Sequence, residues 1–209
     1  MNTSLRQQLI ETAKAMNCSG INRGTSGNLS LRTSDGMLIT PSGMDYAGLG
    51  TDDIVRVDGS GKWSGQNRPS SEWRIHHDIY QRRADAHAIV HAHPTFCATL
   101  ACLGKPIPAF HYMVAVAGGK DIRCADYATF GTQELSDHVV SALEGRKACL
   151  MANHGLVCLS SDLPRCLALA IEVEQLAQAY YQCLVVGQAV ILDDEEMERV
   201  LIKFADYGA

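Results

Sequence analysis

Apolar residues recur at intervals of three and four in two long stretches of the chain. They do so from Leu5 to Met16 and from Leu163 to Leu184, which predicts two amphipathic helices. Ser4 precedes the first stretch and is its predicted N-cap, while Pro164 falls in the first turn of the second. Each helix is expected to bury one apolar face.

Shorter apolar runs between these helices are typical of strands. They lie at residues 29–32, 37–40, 54–57, 88–94 and 147–151. The sequence Asp58-Gly59-Ser60-Gly61 predicts a hairpin turn after the third run. Further helices are predicted to begin near Ser70, after His93, at Thr132 and at Asp193. Strands mixed with helices predict one α/β domain that covers residues 1–209.

Composition and charge narrow the class of protein. The chain has 209 residues, of which 46% are hydrophobic and 20% charged, as expected for a globular protein with one large core. A net charge of -5 without a Lys/Arg cluster argues against a nucleic-acid partner or an anionic membrane surface. No apolar run approaches a membrane span, and the N-terminus lacks a secretory signal, so we expect a cytoplasmic protein. The scattered cysteines are predicted to be free thiols.

Two histidines on the run at 88–94 are candidate metal ligands. His91 and His93 are two residues apart, and side chains at that spacing share one face of a strand. His154 is the candidate third ligand, because it follows another apolar run and precedes a glycine that permits close backbone approach. Two hydrogen-bonded core histidines are the alternative interpretation of the pair. His111 lies beside an aromatic residue, which favours a structural role over a further ligand.

A candidate carboxylate ligand lies at the start of the predicted helix that precedes this strand in the sequence. Ser70 and Ser71 stand at the predicted helix start, where free N–H groups favour an anion, and one of them is the predicted cap. Glu72 follows them and, within reach of a metal, would be a ligand or a general base. The alternative is that the serines only cap the helix and Glu72 only complements its dipole.

Two loops of small residues are candidate anion sites. Residues 22–28 contain two glycines and two hydroxyl side chains in the run 24–27, and Pro41-Ser42-Gly43 follows the next strand. Such loops can turn several backbone N–H groups toward one anion, although a plain tight turn is the alternative. The loop at 22–28 matches neither the P-loop nor the dinucleotide fingerprint.

Six short motifs, in order along the chain, resemble the class II aldolase/epimerase family. They are Gly24–Ser30, Thr40–Gly43, Ser70–Trp73, Val90–His93, Pro108–Met113 and Asn153–Gly155. The resemblance covers essentially the whole chain. It implies an α/β fold with a central, mainly antiparallel sheet flanked by helices.

The resemblance also implies a set of functional residues. Metal ligands would be His91, His93, His154 and, without substrate, Glu72, which would hold one zinc ion per subunit and also serve as the catalytic base. Phosphate contacts would come from Gly27, Asn28, Ser42, Gly43, Ser70 and Ser71. Tyr112 would donate a proton at the aldehyde end, with Phe130 and Tyr207 shaping that end of the pocket. A homotetramer with active sites at subunit interfaces is implied, so the roles of the two tyrosines depend on that assembly.

The implied reaction is zinc-dependent cleavage of L-fuculose 1-phosphate, or of a related deoxyketose 1-phosphate, to dihydroxyacetone phosphate and a short aldehyde such as L-lactaldehyde. The same fold carries sugar-phosphate 4-epimerases, dehydratases and decarboxylases, which are the alternatives. An aspartate stands in the epimerases where this chain has Glu72, and this favours the aldolase. A non-enzymatic scaffold is a remote alternative, because all four predicted ligands are present.

Overall fold

The computed structural model describes residues 2–206, and within them one mixed sheet forms the centre of the fold. Its strands are β1 (Asn28–Thr33), β2 (Gly36–Ile39), β3 (Val55–Asp58), β4 (Trp63–Ser64), β5 (Ala88–Ala92), β6 (Arg123–Ala125), β7 (Ala148–Met151) and β8 (Gly155–Ser160). The spatial order is β4-β3-β2-β1-β5-β8-β7-β6. Only β6 and β7 pair in parallel among these strands, so the predicted mainly antiparallel sheet is confirmed.

Helices cover both faces of the sheet. They are α1 (Asn2–Cys18), α2 (Trp73–Arg82), α3 (Thr95–Cys102), α4 (Gln133–Ala142), α5 (Leu163–Val186) and α6 (Asp194–Asp206). The helices α1, α3, α5 and α6 contribute to one hydrophobic cluster, and α2 and α4 to a second cluster on the opposite face. The predicted α/β architecture with flanking helices is therefore confirmed.

Alternation along β5 decides which side chains face α2. Val90 packs in the cluster of α1 and α5, whereas Ile89 packs in the cluster of α2 and α4. Since alternate residues of a strand share a face, His91 points to the same side as Ile89. The same rule places Asn28 and Ser30 of β1 toward α2, while Leu29 between them packs on the other side. The side of β1 and β5 that faces α2 therefore carries the polar side chains of Asn28, Ser30 and His91.

Some sequence predictions need correction. Ser4 was the predicted N-cap of α1, but the helix already includes Asn2, so Ser4 lies within it. Three strands were missed. The strands β4 and β6 have two and three residues, too few for a periodic pattern. The strand β8 is buried along most of its length, so it shows no alternation of apolar and polar residues. Thr132 caps α4 as predicted, because its side chain accepts a hydrogen bond from the Leu135 N–H.

The structure joins none of the eight cysteines in a disulfide, and all of them lie within residues 2–206. From residue 2 to residue 206, none of the helices has both the length and the apolar character needed to cross a bilayer.

Candidate metal centre

Three histidines and one carboxylate converge at the polar face of the sheet. Glu72 immediately precedes α2, His91 lies on β5, His93 lies just beyond its end, and His154 lies in the turn between β7 and β8. One ligand atom from each residue lies within 4.8 Å of the others. The four residues that the sequence singled out as metal ligands are therefore brought together.

The rings of the histidines are close enough to share one ion. The ring centroid of His91 lies 4.6 Å from that of His93 and 4.9 Å from that of His154, and the last two rings are 4.9 Å apart. A backbone contact orients the His91 ring, since its Nδ1 lies 2.9 Å from the Leu156 carbonyl oxygen. A hydrogen bond there leaves Nε2 as the atom that faces the centre.

Several buried polar atoms at the centre have no hydrogen-bond partner within the described chain. They are Glu72 Oε1, His91 Nε2 and His93 Nε2. The Glu72 oxygens approach His91 Nε2 to 2.9 Å and His154 Nε2 to 3.1 Å, but neither pair is aligned as a hydrogen bond. Buried polar atoms without partners are costly, and a shared cation would satisfy all of them. The residues therefore fit a divalent ion.

The electrostatics of the group favour a cation in the same place. Burial opposes ionisation of Glu72, but the charges of His91 and His154 outweigh it and hold the pKa of Glu72 well below its usual range. Burial likewise opposes protonation of His91, and the Glu72 carboxylate overcomes it and raises the pKa of His91. Burial and the charge of His91 lower the pKa of His93 to about 3. A neutral imidazole is the form that binds metal, so His93 is ready as a ligand at neutral pH.

The turn that presents His154 is tight. Asn153 adopts a left-handed conformation with φ of 54°, which is uncommon for a residue other than glycine, and the His154 N–H donates to the Met151 carbonyl at 3.0 Å. Gly155 then enters β8 beside the end of β5. A Cβ on Gly155 would lie 2.4 Å from the Ala92 carbonyl oxygen and 2.7 Å from His93 Cδ2. The predicted close approach at this glycine is confirmed.

Replacement of Gly155 by alanine is expected to push β8 away from β5 and to displace the His93 ring. Overpacking of this kind costs about 1–3 kcal/mol, so the free energy of unfolding should fall by that amount and bound metal should fall with it. Urea unfolding and metal analysis would measure both. Gly48→Ala is the control, because a Cβ on Gly48 meets no atom within 4 Å. Equal behaviour of the two variants would contradict the steric argument.

The loop segments predicted to hold phosphate lie beside the metal ligands. Pro41 bridges to Pro69, the Ser42 N–H donates to the Arg68 carbonyl at 3.0 Å, and the Ser70 N–H donates to the Thr40 carbonyl at 3.1 Å. These bonds align the two segments side by side and use two of the N–H groups. The N–H groups of Gly43 and Ser71 and the hydroxyls of Ser42 and Ser71 have no hydrogen-bond partner within residues 2–206. They are the donors that remain for an anion.

Gly27 approaches the metal ligands closely. A Cβ there would lie 2.7 Å from the His91 carbonyl oxygen, so a side chain has no room. The Gly27 carbonyl accepts a hydrogen bond from the buried Tyr46 hydroxyl, which ties the loop at 42–49 to the first glycine loop. The segments around Gly27, Ser42 and Ser70 thus meet at one side of the centre.

The cap of α2 differs from the prediction. Glu72 is the N-cap, and its own side chain makes no capping bond because it faces the histidines. The Ser70 hydroxyl accepts from the Glu72 N–H at 3.3 Å, so it acts before the helix begins. Ser71 is exposed and caps nothing. The prediction that Ser70 or Ser71 is the N-cap was therefore wrong, because Glu72 occupies that position.

A cavity of about 310 Å³ opens onto the centre. Its lining consists of Ser26, Ser71, Glu72, His93, Tyr127, Ala128, Phe130, Asn153 and His154. Phe130 was predicted to shape the pocket, whereas Ser26, Tyr127 and Asn153 were not singled out. Tyr127 and Phe130 are 60% and 66% exposed, which gives the cavity an aromatic mouth. Periodicity could not identify Tyr127, because it lies in an irregular segment between β6 and α4.

Tyr112 lies elsewhere on the same chain. It begins a 3-10 helix (Tyr112–Ala117) and lines a groove with Phe110, Met113 and Phe204, not the cavity at the histidines. Tyr112 is 52% exposed. His111 is not part of the metal group, and its Nδ1 accepts a hydrogen bond from the Met113 N–H, as expected for a structural role. Tyr207 lies outside the described residues.

The turn after His93 is fixed by a carboxylate from α5. Glu174 accepts the N–H groups of Phe96 and Cys97 at 2.9 and 2.8 Å, at the start of α3. Sequence reasoning missed this contact, since it joins residues far apart in the chain. A carboxylate that receives two N–H groups at a helix start stabilises that helix.

Glu174→Ala is expected to lower the free energy of unfolding by about 1–3 kcal/mol, because two N–H groups lose a charged acceptor. Thermal or urea unfolding of the purified protein would measure the change. Glu172→Ala is the matched control, since Glu172 lies on the same helix and its side chain forms no hydrogen bond or ion pair with another residue of 2–206. A Glu174 variant as stable as the Glu172 variant would contradict the stabilising role of the contact.

Comparison with protein families and with known proteins adds independent findings. The family model described as class II aldolase and adducin N-terminal domain matches residues 7–181. The 5-methylthioribulose-1-phosphate/5-deoxyribulose-1-phosphate aldolase of Rhodospirillum rubrum is 55% identical over 205 residues, which cover 98% of this chain and 93% of that protein. The L-fuculose phosphate aldolase of Escherichia coli strain K12 is 50% identical over 205 residues, covering 98% and 95%.

Solved structures show the same similarity. The fold matches a structure of L-fuculose 1-phosphate aldolase with a TM-score of 0.94 and 44% identity, over 97% of each chain. It matches L-fuculose-1-phosphate aldolase from Thermus thermophilus with a TM-score of 0.76 and 27% identity, over 90% of this chain and 98% of the other.

Proposed function

This chain belongs to the class II aldolase and adducin family, and within that family we propose that it cleaves a deoxyketose 1-phosphate to dihydroxyacetone phosphate and a short aldehyde. It is a class II aldolase, a carbon–carbon lyase. The observation that carries the proposal is the buried group of three imidazoles and one carboxylate at the base of a cavity. A group of this kind favours enzyme over scaffold, and the relatives named above favour the aldolase over the epimerase, dehydratase and decarboxylase.

The proposed cofactor is one zinc ion per subunit, held by His91, His93, His154 and Glu72. Imidazole nitrogen and carboxylate oxygen are ligands that zinc accepts. A bound divalent ion supplies stabilisation for the negative charge that develops on the substrate oxygens when the carbon–carbon bond breaks. All other steps fall to residues of the chain.

Glu72 is the proposed acid and base. In the cleavage direction the C4 hydroxyl would give its proton to the partner subunit's Tyr112, which would pass a proton on to Glu72. The C3–C4 bond breaks, and its electron pair passes to the dihydroxyacetone phosphate fragment as an enediolate. Glu72 would then donate the proton it received to C3, so that no proton is gained or lost, and in the condensation direction it would remove that proton. Its burial at 5% exposure keeps water from competing for this proton.

The phosphate group is proposed to lie against Gly27, Asn28, Ser42, Gly43, Ser70 and Ser71. The N–H groups of Gly43 and Ser71 and the hydroxyls of Ser42 and Ser71 support this, because they lie on two paired segments next to Glu72 and have no hydrogen-bond partner among residues 2–206. Hydroxyl and N–H donors hold an anion without a cluster of basic residues, which suits a chain of net charge -5. The Asn28 amide is occupied by other residues, so its phosphate contact rests on the resemblance alone.

The proposed assembly is a homotetramer in which the partner subunit's Tyr112 donates the proton at the aldehyde end. Tyr112 is exposed and lies in a groove apart from the cavity of its own chain, which supports a role across an interface. Phe130 and Tyr207 are proposed to shape the same end. A cytoplasmic location also remains a proposal.

Two substrate types are candidates. The motifs favour L-fuculose 1-phosphate, whereas the 55% identity to the Rhodospirillum rubrum protein favours 5-methylthioribulose or 5-deoxyribulose 1-phosphate. All three substrates end in an apolar group. The exposed aromatic rings of Tyr127 and Phe130 at the cavity mouth suit such an end.

The test is release of dihydroxyacetone phosphate from the three substrates by zinc-loaded protein, measured with a coupled glycerol-phosphate dehydrogenase. Ribulose 1-phosphate is the matched control, because it differs from 5-deoxyribulose 1-phosphate by one hydroxyl. The aromatic rings of Tyr127 and Phe130 should disfavour the additional hydroxyl, so kcat/KM should be about 10- to 100-fold lower for ribulose 1-phosphate than for 5-deoxyribulose 1-phosphate. The ranking of the three substrates decides between the two candidate types. No release from any of them would refute the proposed function.

A further inference from the structure

A continuous chain of buried hydrogen bonds runs from Glu72 away from the cavity, into the layer between β1 and α2. The Asn28 amide nitrogen donates to Glu72 Oε2 at 3.2 Å, and Asn28 Oδ1 lies 2.5 Å from His76 Nε2. His76 Nδ1 lies 2.7 Å from Ser30 Oγ, which lies 2.9 Å from the Tyr80 hydroxyl. Five side chains from two elements are thus joined end to end.

All five residues are sealed from solvent. Their exposed fractions range from 0% for Ser30 and His76 to 6% for Tyr80. A buried donor or acceptor that loses its partner cannot turn to water instead and costs about 1–3 kcal/mol. The protons of Asn28, His76 and Ser30 therefore each have one favourable position, whereas the Tyr80 hydroxyl also has the His87 carbonyl within 3.5 Å.

The acceptor at the end of the chain sets the direction of every bond. Because the Glu72 carboxylate only accepts, Asn28 must turn its NH₂ toward it and its oxygen toward His76. The His76 Nε2 then carries the hydrogen, and its bare Nδ1 accepts from the Ser30 hydroxyl. The Ser30 oxygen is left to accept from Tyr80.

We propose that His76 is a positioning residue, which fixes the orientation of the Asn28 amide and thereby holds the Glu72 carboxylate against His91 and His154. The expected effect of His76 on turnover rests on the proposed function, whereas its effect on the orientation of Asn28 does not. The geometry supports it directly, since the Glu72 oxygen that receives the Asn28 bond is the one 2.9 Å from His91 Nε2. Without His76 the Asn28 amide could rotate and turn its oxygen toward the Glu72 carboxylate, and the oxygens would repel each other.

The first experiment compares two substitutions at one position. His76→Leu removes both ring nitrogens and should lower kcat by about 10- to 100-fold, the usual cost of losing a residue that orients a metal ligand. KM should change by less than about threefold, because Asn28 is the one proposed phosphate contact that His76 touches, and its amide is already bonded to Glu72 and His76. In His76→Gln the amide nitrogen replaces Nε2 as the donor, and kcat should recover to within about threefold of the unmodified protein.

His77→Leu is the matched control, since His77 is the next residue of α2 and its ring contacts Asp78 and the Gly59 carbonyl instead. Its kcat should stay within about twofold of the unmodified protein. Asn28→Ala gives a further arm, because His76 acts through Asn28 and the double variant should be no slower than Asn28→Ala alone. Multiplied losses in the double variant, or full kcat in His76→Leu, would overturn the proposal.

A measurement on the unmodified protein needs neither activity nor a variant that folds. Nitrogen-15 NMR of histidine-labelled, zinc-loaded protein reports which ring nitrogen of His76 carries the hydrogen. We expect it on Nε2, with Nδ1 bare. Hydrogen on Nδ1 would overturn the positioning proposal even in an active aldolase, whereas an inactive protein with hydrogen on Nε2 would refute only the proposed function.

Discussion

Glu72→Gln is expected to reduce turnover by about 10²- to 10⁴-fold, the range that general acid–base groups contribute. The amide keeps the size of the carboxylate but cannot carry the proton between C3 and the enzyme. Metal content should stay near one ion per chain, since His91, His93 and His154 remain. Coupled detection of dihydroxyacetone phosphate and metal analysis on the same sample would measure the two quantities.

The control for this variant is Glu134→Gln, an equal change at an exposed position in the first turn of α4. It should leave turnover unchanged. Retained turnover in Glu72→Gln would remove Glu72 from its proposed role. Loss of metal together with turnover would instead make Glu72 chiefly a ligand.

His93→Ala is expected to lose both metal and activity. His93 Nε2 is buried without a hydrogen-bond partner in the described chain, and its ring lies within 4.9 Å of both other rings. Its removal deletes one of the four donors and, because His93 lines the cavity, opens the ion to water and to a chelator, so zinc should be lost on dialysis against a chelator. Metal analysis after such dialysis should fall from about one ion per chain to nearly none.

His87→Ala is the matched control, because His87 is exposed and lies just before the same strand. This variant should keep metal and turnover. Unchanged zinc content in His93→Ala would contradict the assignment of the site, whatever its activity.

The pairing of His91 with His93 was predictable because it follows from local spacing. His91 and His93 share a side by the twofold repeat of a strand, and the approach at Gly155 follows from the lack of a side chain. Convergence with His154 needed more, since it depends on the pairing of β5 with β8, which joins Ala92 to Leu156. The resemblance, not the spacing, supplied that step.

The contacts that support the site were not predictable from patterns. The Asn28 amide faces Glu72 because β1 pairs with β5 in a register that sets Asn28 opposite His91, and no local rule fixes a register between distant strands. The Glu174 contact to α3 likewise spans 77 and 78 residues. Tyr112 lies apart from the cavity of its own chain, so its proposed role depends on the proposed assembly and not on any contact within one chain.

The dependence of the reaction on metal is tested most directly by chelation. Release of dihydroxyacetone phosphate from L-fuculose 1-phosphate and from 5-deoxyribulose 1-phosphate is measured before chelation, after chelation, and after zinc is added back. Release that stops when the metal is removed and returns with about one zinc per chain is the predicted result. Undiminished release by protein shown to be free of metal would mean that His91, His93, His154 and Glu72 do not form the centre of a metal-dependent aldolase.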